Sequence, residues 1–138
     1  MTKILFVCHG NICRSVMAEM MMKHAVAQQG RDGEFVIDSC ATSTEELGND
    51  IYPPAKRCLT AHGIPFTSHA ARQITRADYD FYDRIICMER YNIRNLPMSS
   101  PKVQTLLHRD VADPWYTGDF ETTYRDLEEG IADLMNNL

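Results

Sequence analysis

Ile4-Leu-Phe-Val-Cys-His-Gly-Asn-Ile-Cys-Arg-Ser15 is the stretch of sequence that decides the expected fold. It begins with a short β-branched and aromatic run, which is typical of a buried strand. Apolar side chains recur at helical spacing from Met17 onward, which predicts a helix. The polar residues between the two therefore form a tight loop that joins a strand to a helix.

A loop at the start of a helix is suited to hold an anion. Its backbone N–H groups have no partner within the helix and carry partial positive charge. The same field favours thiolate over thiol at Cys8, which would then be a nucleophile at neutral pH. Arg14 presents a planar fork that binds two oxygens of a phosphoryl group at once. We therefore interpret this stretch as the reaction centre.

A structural alternative exists for the same residues. Cys8 would pack as a small hydrophobe at the end of a strand, and Arg14 would merely begin a helix. Gly10, Asn11 and Ser15 favour the reactive interpretation, because Gly and Asn tolerate the positive φ that a tight turn of inward-pointing amides needs.

Strands and helices are predicted to alternate along the rest of the chain. This alternation favours a parallel sheet covered on both faces. The segment 41–54 is rich in turn residues and is expected to be a loop, either a wall of the site or an ordinary surface excursion. The last helix should bury one apolar face that includes Leu138. Strands are predicted at 3–7, 34–40, 84–88 and 102–107, and helices at 14–29, 53–62, 75–79, 89–96 and 119–138.

Length and composition limit the class of protein. The 138 residues, 44% of them hydrophobic, fit a single domain, 1–138, with one core. A net charge of -5 argues against a partner nucleic acid. The apolar run after Lys3 is too short for a signal peptide or a membrane span, so we expect a cytoplasmic protein. Five cysteines without a Cys-x-x-Cys pair indicate reduced thiols and neither a disulfide framework nor a zinc site.

Three motifs resemble those of the low-molecular-weight protein tyrosine phosphatases. Cys8-His-Gly-Asn-Ile-Cys-Arg-Ser15 is similar to the family's signature loop, Asp113-Pro-Trp115 to its acid loop, and His69-Ala-Ala-Arg-Gln-Ile74 to its middle segment. The resemblance covers essentially the whole chain. It implies an α/β fold: one domain with a four-stranded parallel sheet and helices on both faces, a Rossmann-like three-layer architecture. It also implies hydrolysis of phosphotyrosine monoesters, and of small aryl phosphates, through a phosphocysteine intermediate.

The resemblance also implies a role for each matching residue. Cys8 would be the nucleophile, Arg14 the phosphate clamp and Asp113 the general acid. The residues expected to bind phosphate are Cys8, His9, Gly10, Asn11, Ile12, Cys13, Arg14 and Ser15. The residues expected to hold the loop in shape are Asn11, Ser15, Ser39 and His69.

Two departures from the family pattern bear on the substrate and on the loop. Val16 stands where the family usually has proline, and Glu45 stands where members often have an aromatic residue on the wall of the substrate slot. Trp115 and Tyr116 directly follow the acid and are predicted to complete that slot by stacking on the substrate ring. The alternative for Trp115 is core packing.

Cys13 is predicted to have a redox role. It flanks the same tight loop as Cys8, so it could trap an oxidised Cys8 as a reversible disulfide. The alternative is that Cys13 only packs under the loop. His62, by contrast, is interpreted as a residue at a helix end with no part in catalysis.

The expected partner is a phosphotyrosine-containing protein or peptide, and the expected product is inorganic phosphate. No membrane partner is expected. The protein is expected to be a monomer or a weak homo-oligomer. No cofactor or metal is expected, because the thiolate is already anionic and Arg14 with the amides supplies the positive field.

Three other classes of protein remain open. They are a phosphocysteine carrier, a thioredoxin-coupled arsenate reductase that would need a cysteine such as Cys87, and a phosphate-binding module without turnover.

Overall fold

β1 (Thr2–Cys8) lies inside a four-stranded parallel sheet of strand order β2-β1-β3-β4. The computed structural model describes residues 1–138. The other strands are β2 (Phe35–Ala41), β3 (Arg84–Cys87) and β4 (Val103–Thr105). The helices are α1 (Arg14–Gln28), α2 (Pro53–Ala61), α3 (Arg76–Phe81), α4 (Arg90–Arg94), α5 (Pro114–Thr117) and α6 (Phe120–Asn136), and a 3₁₀ turn spans Asp32–Glu34.

The side chains of β1 alternate between two hydrophobic cores, because successive residues of a strand point to opposite faces of the sheet. Ile4 and Phe6 belong to the larger core, which also contains buried residues of α1, α2 and α6. Leu5 and Val7 belong to the smaller core on the other face, with Tyr79 of α3. Helices therefore cover both faces, as the sequence predicts.

The register of the strands places the functional residues at one edge of the sheet. Cys8 at the end of β1 pairs with Ala41 of β2, and Val7 pairs with Cys87 of β3. Chain segments that leave these strands therefore meet at the carboxyl edge, where open parallel sheets bind ligands. Glu89 and Asp113 lie on such segments.

The predicted elements are present, with three differences. Leu138 was predicted to be in the core but is 40% exposed, because α6 ends at Asn136. The short helix α5 is not among the predicted helices and lies in the stretch that resembles the family's acid loop. Of the two loop residues that tolerate positive φ, only Asn11 has it, at 63°. None of the helices combines the length and the apolar character that a membrane span requires.

Candidate active site

The loop between β1 and α1 forms the floor of a cleft of about 500 Å³. Cys8 begins this loop and is almost fully buried at 3% exposure. The backbone N–H groups of Ile12, Cys13, Arg14 and Ser15 donate to no other group of the protein. They are therefore free to bind an anion at the start of α1, as the sequence predicts. The residues of the signature stretch that line the cleft are Cys8, His9, Gly10, Asn11, Ile12, Cys13 and Arg14.

Asn11 holds the loop in its shape through every polar atom that it has. Its backbone N–H lies 3.3 Å from the Cys8 sulfur, and its backbone oxygen lies 2.8 Å from Nε2 of His69. Its side-chain amide donates to Oγ of Ser15 at 2.8 Å and to Oγ of Ser39 at 2.9 Å. Its side-chain oxygen accepts from the backbone N–H of Arg72 at 3.2 Å. This complete pairing accounts for a polar residue at 0% exposure.

Ser15 connects this network to the nucleophile. Its oxygen lies 3.0 Å from the sulfur of Cys8 and accepts from Asn11. The Cys8 thiol donates to this oxygen, which accepts from both Cys8 and Asn11 through its two lone pairs. The Ser15 hydroxyl proton is therefore left to donate to the sulfur once Cys8 has lost its own proton. Ser39 in turn donates to Oε1 of Glu19 at 2.6 Å. The structure thus brings together the four predicted supporting residues: Asn11, Ser15, Ser39 and His69.

Arg14 is 2% exposed, and three groups hold its guanidinium. Nη1 donates to the backbone oxygen of Val111 at 3.1 Å, and Nη2 donates to Oε1 of Glu89 at 3.0 Å and to Oδ2 of Asp113 at 3.3 Å. Burial by itself would lower the pKa of Arg14. The hydrogen bond to Glu89 and the negative charges around the guanidinium outweigh burial and raise its pKa. Arg14 is therefore a permanent positive charge at the cleft.

Asp113 is half-buried at the cleft and begins α5. Its Oδ1 accepts from the backbone N–H of Trp115 at 3.1 Å, which leaves Oδ2 for Arg14. The two other aspartates near it in the sequence serve elsewhere. Asp110 accepts from the backbone of Arg90, and Asp119 caps α6. Asp113 is thus the aspartate that lines the cleft.

The rim of the cleft contains the three predicted slot residues. Trp115 is 54% exposed and packs against Tyr52 with ring centroids 5.0 Å apart, so it is a wall and not part of the core. Tyr116 is 85% exposed beside it. On the opposite segment, Oε2 of Glu45 lies 2.8 Å from Nε2 of His9. The loop 41–54 therefore does contribute a wall of the cleft.

Three partners of the site were not identified from the sequence: Glu89, Arg72 and Glu19, the acceptor of the Ser39 hydroxyl. Glu89 pairs with Arg14, and Arg72 reaches Asn11 through its backbone while its side chain forms a double ion pair with Asp78 at 2.9 and 3.0 Å. A signal for Glu89 exists in the sequence, because it comes two residues after β3 at the carboxyl edge of the sheet. A signal for Arg72 exists as well, because it lies inside the motif 69–74 that resembles the family's middle segment. The cleft also contains Glu46 and Tyr91.

Cys13 lines the cleft and is nearly buried, and Val16 lies in the first turn of α1. Burial, together with the charge of Cys8, raises the pKa of the Cys13 thiol to about 12. Cys13 is therefore a neutral thiol at physiological pH. Val16 is fully buried in the larger core, where an apolar side chain suits the position that the family usually gives to proline.

An anion-binding loop that contains a thiol, faced by a carboxyl group at the carboxyl edge of a parallel sheet, defines the class of cysteine-dependent phosphatases. Residues 3–138 match the model of the family described as low molecular weight phosphotyrosine protein phosphatase, and the chain belongs to this family. It is therefore a hydrolase that acts on phosphotyrosine.

Individual relatives are similar along nearly their whole length. The human low molecular weight phosphotyrosine protein phosphatase is 39% identical over 88% of this chain and 86% of its own. Low molecular weight protein-tyrosine-phosphatase YfkJ of Bacillus subtilis is 34% identical over 100% of this chain and 96% of its own. The crystal structure of the phosphatase SP-PTP from Streptococcus pyogenes superimposes with a TM-score of 0.92 at 38% identity, covering 100% of this chain and 93% of that one.

Proposed function

We propose that Cys8, Arg14 and Asp113 hydrolyse phosphotyrosine monoesters in two steps through a phosphocysteine. The observation that supports these roles is their convergence on one cleft whose floor contains unpaired backbone N–H groups. The three residues come from three separate parts of the fold: the end of β1, the start of α1 and the turn before α5.

In the first step the Cys8 thiolate attacks the phosphorus atom. A sulfur–phosphorus bond forms, and the bond between phosphorus and the tyrosine oxygen breaks. Asp113, protonated at this stage, gives its proton to the departing oxygen, because a phenolate is a poor leaving group at neutral pH. The Ser15 hydroxyl, 3.0 Å from the sulfur, is placed to donate to the thiolate once Cys8 has lost its proton.

In the second step a water molecule attacks the phosphocysteine. Asp113, now a carboxylate, accepts a proton from that water, the sulfur–phosphorus bond breaks, and inorganic phosphate leaves. The Cys8 thiolate and protonated Asp113 are thereby restored. The same residue serves as acid and then as base because the second step reverses the proton transfer of the first.

Arg14 and the loop amides stabilise the transition state of both steps. Charge in phosphoryl transfer spreads over the three equatorial oxygens, and fixed donors aimed at those oxygens lower the barrier. Arg14 suits this task because its orientation is already set by Glu89 and by the Val111 carbonyl. No part of this chemistry calls for a metal ion.

The substrate that we infer is a phosphotyrosine-containing protein or peptide. Trp115 and Tyr116 present aromatic faces beside the phosphate site, which suits a phenyl ring and leaves the peptide at the open rim. A cytoplasmic setting suits the reaction as well, because thiols stay reduced there and Cys8 must be free.

Rapid-quench kinetics with a phosphate-labelled aryl ester test this mechanism. We expect labelled protein within the first turnover, its loss in Cys8→Ser, and its accumulation in Asp113→Asn because the second step lacks its base. Steady release of p-nitrophenol with and without a chelator should be equal. Stable labelling without release of phosphate would instead indicate a phosphocysteine carrier, and binding of phosphate without turnover would indicate a binding module.

A further inference from the structure

Cys58, His62 and Glu121 form a cluster of three metal-ligating side chains outside the active site. Cys58 and His62 are four residues apart at the end of α2, so they lie on the same face of that helix. Glu121 comes from the first turn of α6, which packs against α2. The three ligand atoms lie within 4.8 Å of one another.

The imidazole ring of His62 is held in a defined orientation. It stacks on the ring of Tyr124 with a centroid distance of 3.7 Å and an interplanar angle of 8°. Its Nε2 lies 2.8 and 3.0 Å from the two carboxylate oxygens of Glu121. In metal sites, groups that neighbour a histidine usually fix the orientation of its imidazole ring.

The thiol of Cys58 lies on the buried side of the cluster. Cys58 is 6% exposed, and its sulfur lies 3.9 Å from Oε1 of Glu121 and 3.7 Å from the backbone oxygen of Phe120. The side chains of His62 and Glu121 are 32% and 51% exposed. The cluster thus has a buried sulfur and an outer side that solvent ions can reach.

We propose that Cys58, His62 and Glu121 bind a divalent transition-metal ion, with Zn²⁺ as the best match. Sulfur, imidazole nitrogen and carboxylate oxygen are the three ligand types of zinc sites, whereas Ca²⁺ and Mg²⁺ take oxygen ligands. Three protein ligands leave a fourth position for water on the exposed side. The ion would displace the Cys58 proton, so that a metal–thiolate bond forms and one proton leaves to solvent.

The site joins two helices that connect to the aromatic wall of the cleft through Tyr52 and Phe120. Phe120, the neighbour of Glu121, stacks on Tyr52 with ring centroids 6.3 Å apart, and Tyr52 packs against Trp115. An ion that ties α2 to α6 would therefore stabilise the fold and stiffen the aromatic wall. This inference departs from the sequence prediction of no zinc site, which rested on the lack of a Cys-x-x-Cys pair.

Titration of the metal-free full chain with Zn²⁺ tests the proposal. The titration is done in a Cys8→Ser background, so that the catalytic thiol does not contribute. We expect one ion per chain by calorimetry and a melting temperature raised by several degrees at excess metal. Co²⁺ should give a thiolate-to-cobalt absorption band that disappears in Cys58→Ser.

Variants of the ligands and one matched control complete the experiment. Cys58→Ser, His62→Ala and Glu121→Gln should each weaken Zn²⁺ binding by about tenfold or more, since even loss of outer partners costs about 10–100-fold. His108→Ala removes an exposed histidine away from the cluster and should change nothing. Glu121→Gln is isosteric and exposed, so its loss of affinity cannot be ascribed to unfolding. Absence of stoichiometric binding, or unchanged affinity in Glu121→Gln and His62→Ala, would overturn the proposal.

Discussion

Nη2 of Arg14 lies 3.3 Å from Oδ2 of Asp113, so the proposed phosphate clamp and the proposed proton donor are in direct contact. The two residues are 99 positions apart in the chain. The contact joins the loop after β1 to the turn that begins α5. We propose that an arriving phosphoryl group binds the guanidinium next to Asp113, which would place the carboxyl group beside the leaving oxygen.

Asp113→Asn tests the proton donor, because it keeps the shape of the side chain but removes the transferable proton. A phenol leaving group has a pKa of about 10, and a positioned acid contributes about 10²–10⁴-fold. We expect a loss of rate in this range on phenyl phosphate and a far smaller loss on esters whose leaving groups are stable anions. The measurement is kcat/KM against leaving-group pKa. Asp110→Asn and Asp119→Asn are the matched controls, and a steeper leaving-group dependence in either would move the acid role there.

Glu89→Gln tests whether Glu89 orients Arg14. The change keeps an acceptor oxygen but converts an ion pair into a hydrogen bond in which only the Arg14 donor is charged, a loss of about 1–1.5 kcal/mol. We expect kcat/KM to fall about tenfold. Most of this fall should be in kcat and little in KM, because Arg14 is proposed to stabilise the transition state. Glu46→Gln, also at the cleft but paired with Asn49, serves as control. Equal effects of the two changes would show that only the negative charge of the cleft matters.

Asn11→Ala tests the network that supports the loop. The change leaves the partners at Ser15, Ser39 and Arg72 unsatisfied and puts a side chain other than Asn at a φ of 63°. We expect the free energy of unfolding to drop by at least about 2 kcal/mol, since each buried unpaired group costs about 1–3 kcal/mol. Denaturant titration measures the loss. Asn11→Gly avoids the backbone strain of a non-Asn side chain at this φ but still lacks the side-chain hydrogen bonds. An Asn11→Gly variant as stable as the wild type would therefore contradict the network.

Cys13→Ser tests the redox role of Cys13. After oxidation of Cys8 to the sulfenic acid, attack by the Cys13 sulfur would form a disulfide and release water. Since the pKa of Cys13 is about 12, the rate of trapping should rise about tenfold per pH unit above neutrality. Peptide mapping after brief peroxide treatment should show the Cys8–Cys13 link, with activity restored by dithiol. In Cys13→Ser, but not in Cys40→Ser, peroxide should oxidise the Cys8 sulfenic acid further to the sulfinic acid, which dithiol does not reduce. The same irreversible product in the wild type would refute the role.

Trp115→Ala tests the aromatic wall. Stacking on the substrate ring is worth about 0.5–1.5 kcal/mol, so kcat/KM for phenyl phosphate should fall about 2–10-fold. An alkyl phosphate has no ring to stack and should be hydrolysed at nearly the wild-type rate. Trp115→Phe should retain most of the activity on the aryl ester. An equal loss on both esters would argue that Trp115 only supports the acid loop through Tyr52.

Much of the fold follows from local signals in the sequence. The apolar run of β1 and the helical spacing of α1 are strong because both elements are buried, and a buried face imposes its period on the sequence. α5 was missed because four residues are too few to show a period, and its Asp-Pro start is equally typical of a turn. Leu138 was placed in the core because it continues the apolar face of α6, but the chain passes the last helical turn before reaching it.

The sequence by itself determined that Cys8, Asn11, Arg14 and Ser15 share one short loop at the start of a helix, because these residues are neighbours in the chain. The tertiary structure alone decided which distant groups complete it. Glu89 reaches Arg14 because parallel strands bring their carboxyl ends to one edge of the sheet. Arg72 reaches Asn11 because its backbone is hydrogen-bonded to Ala41 at the end of β2, and Glu19 reaches Ser39 because α1 packs against β2. The same holds for Cys58, His62 and Glu121, which two packed helices bring together. Such contacts have no sequence period, because the separation between partners is set by the lengths of the intervening crossovers and not by local backbone geometry.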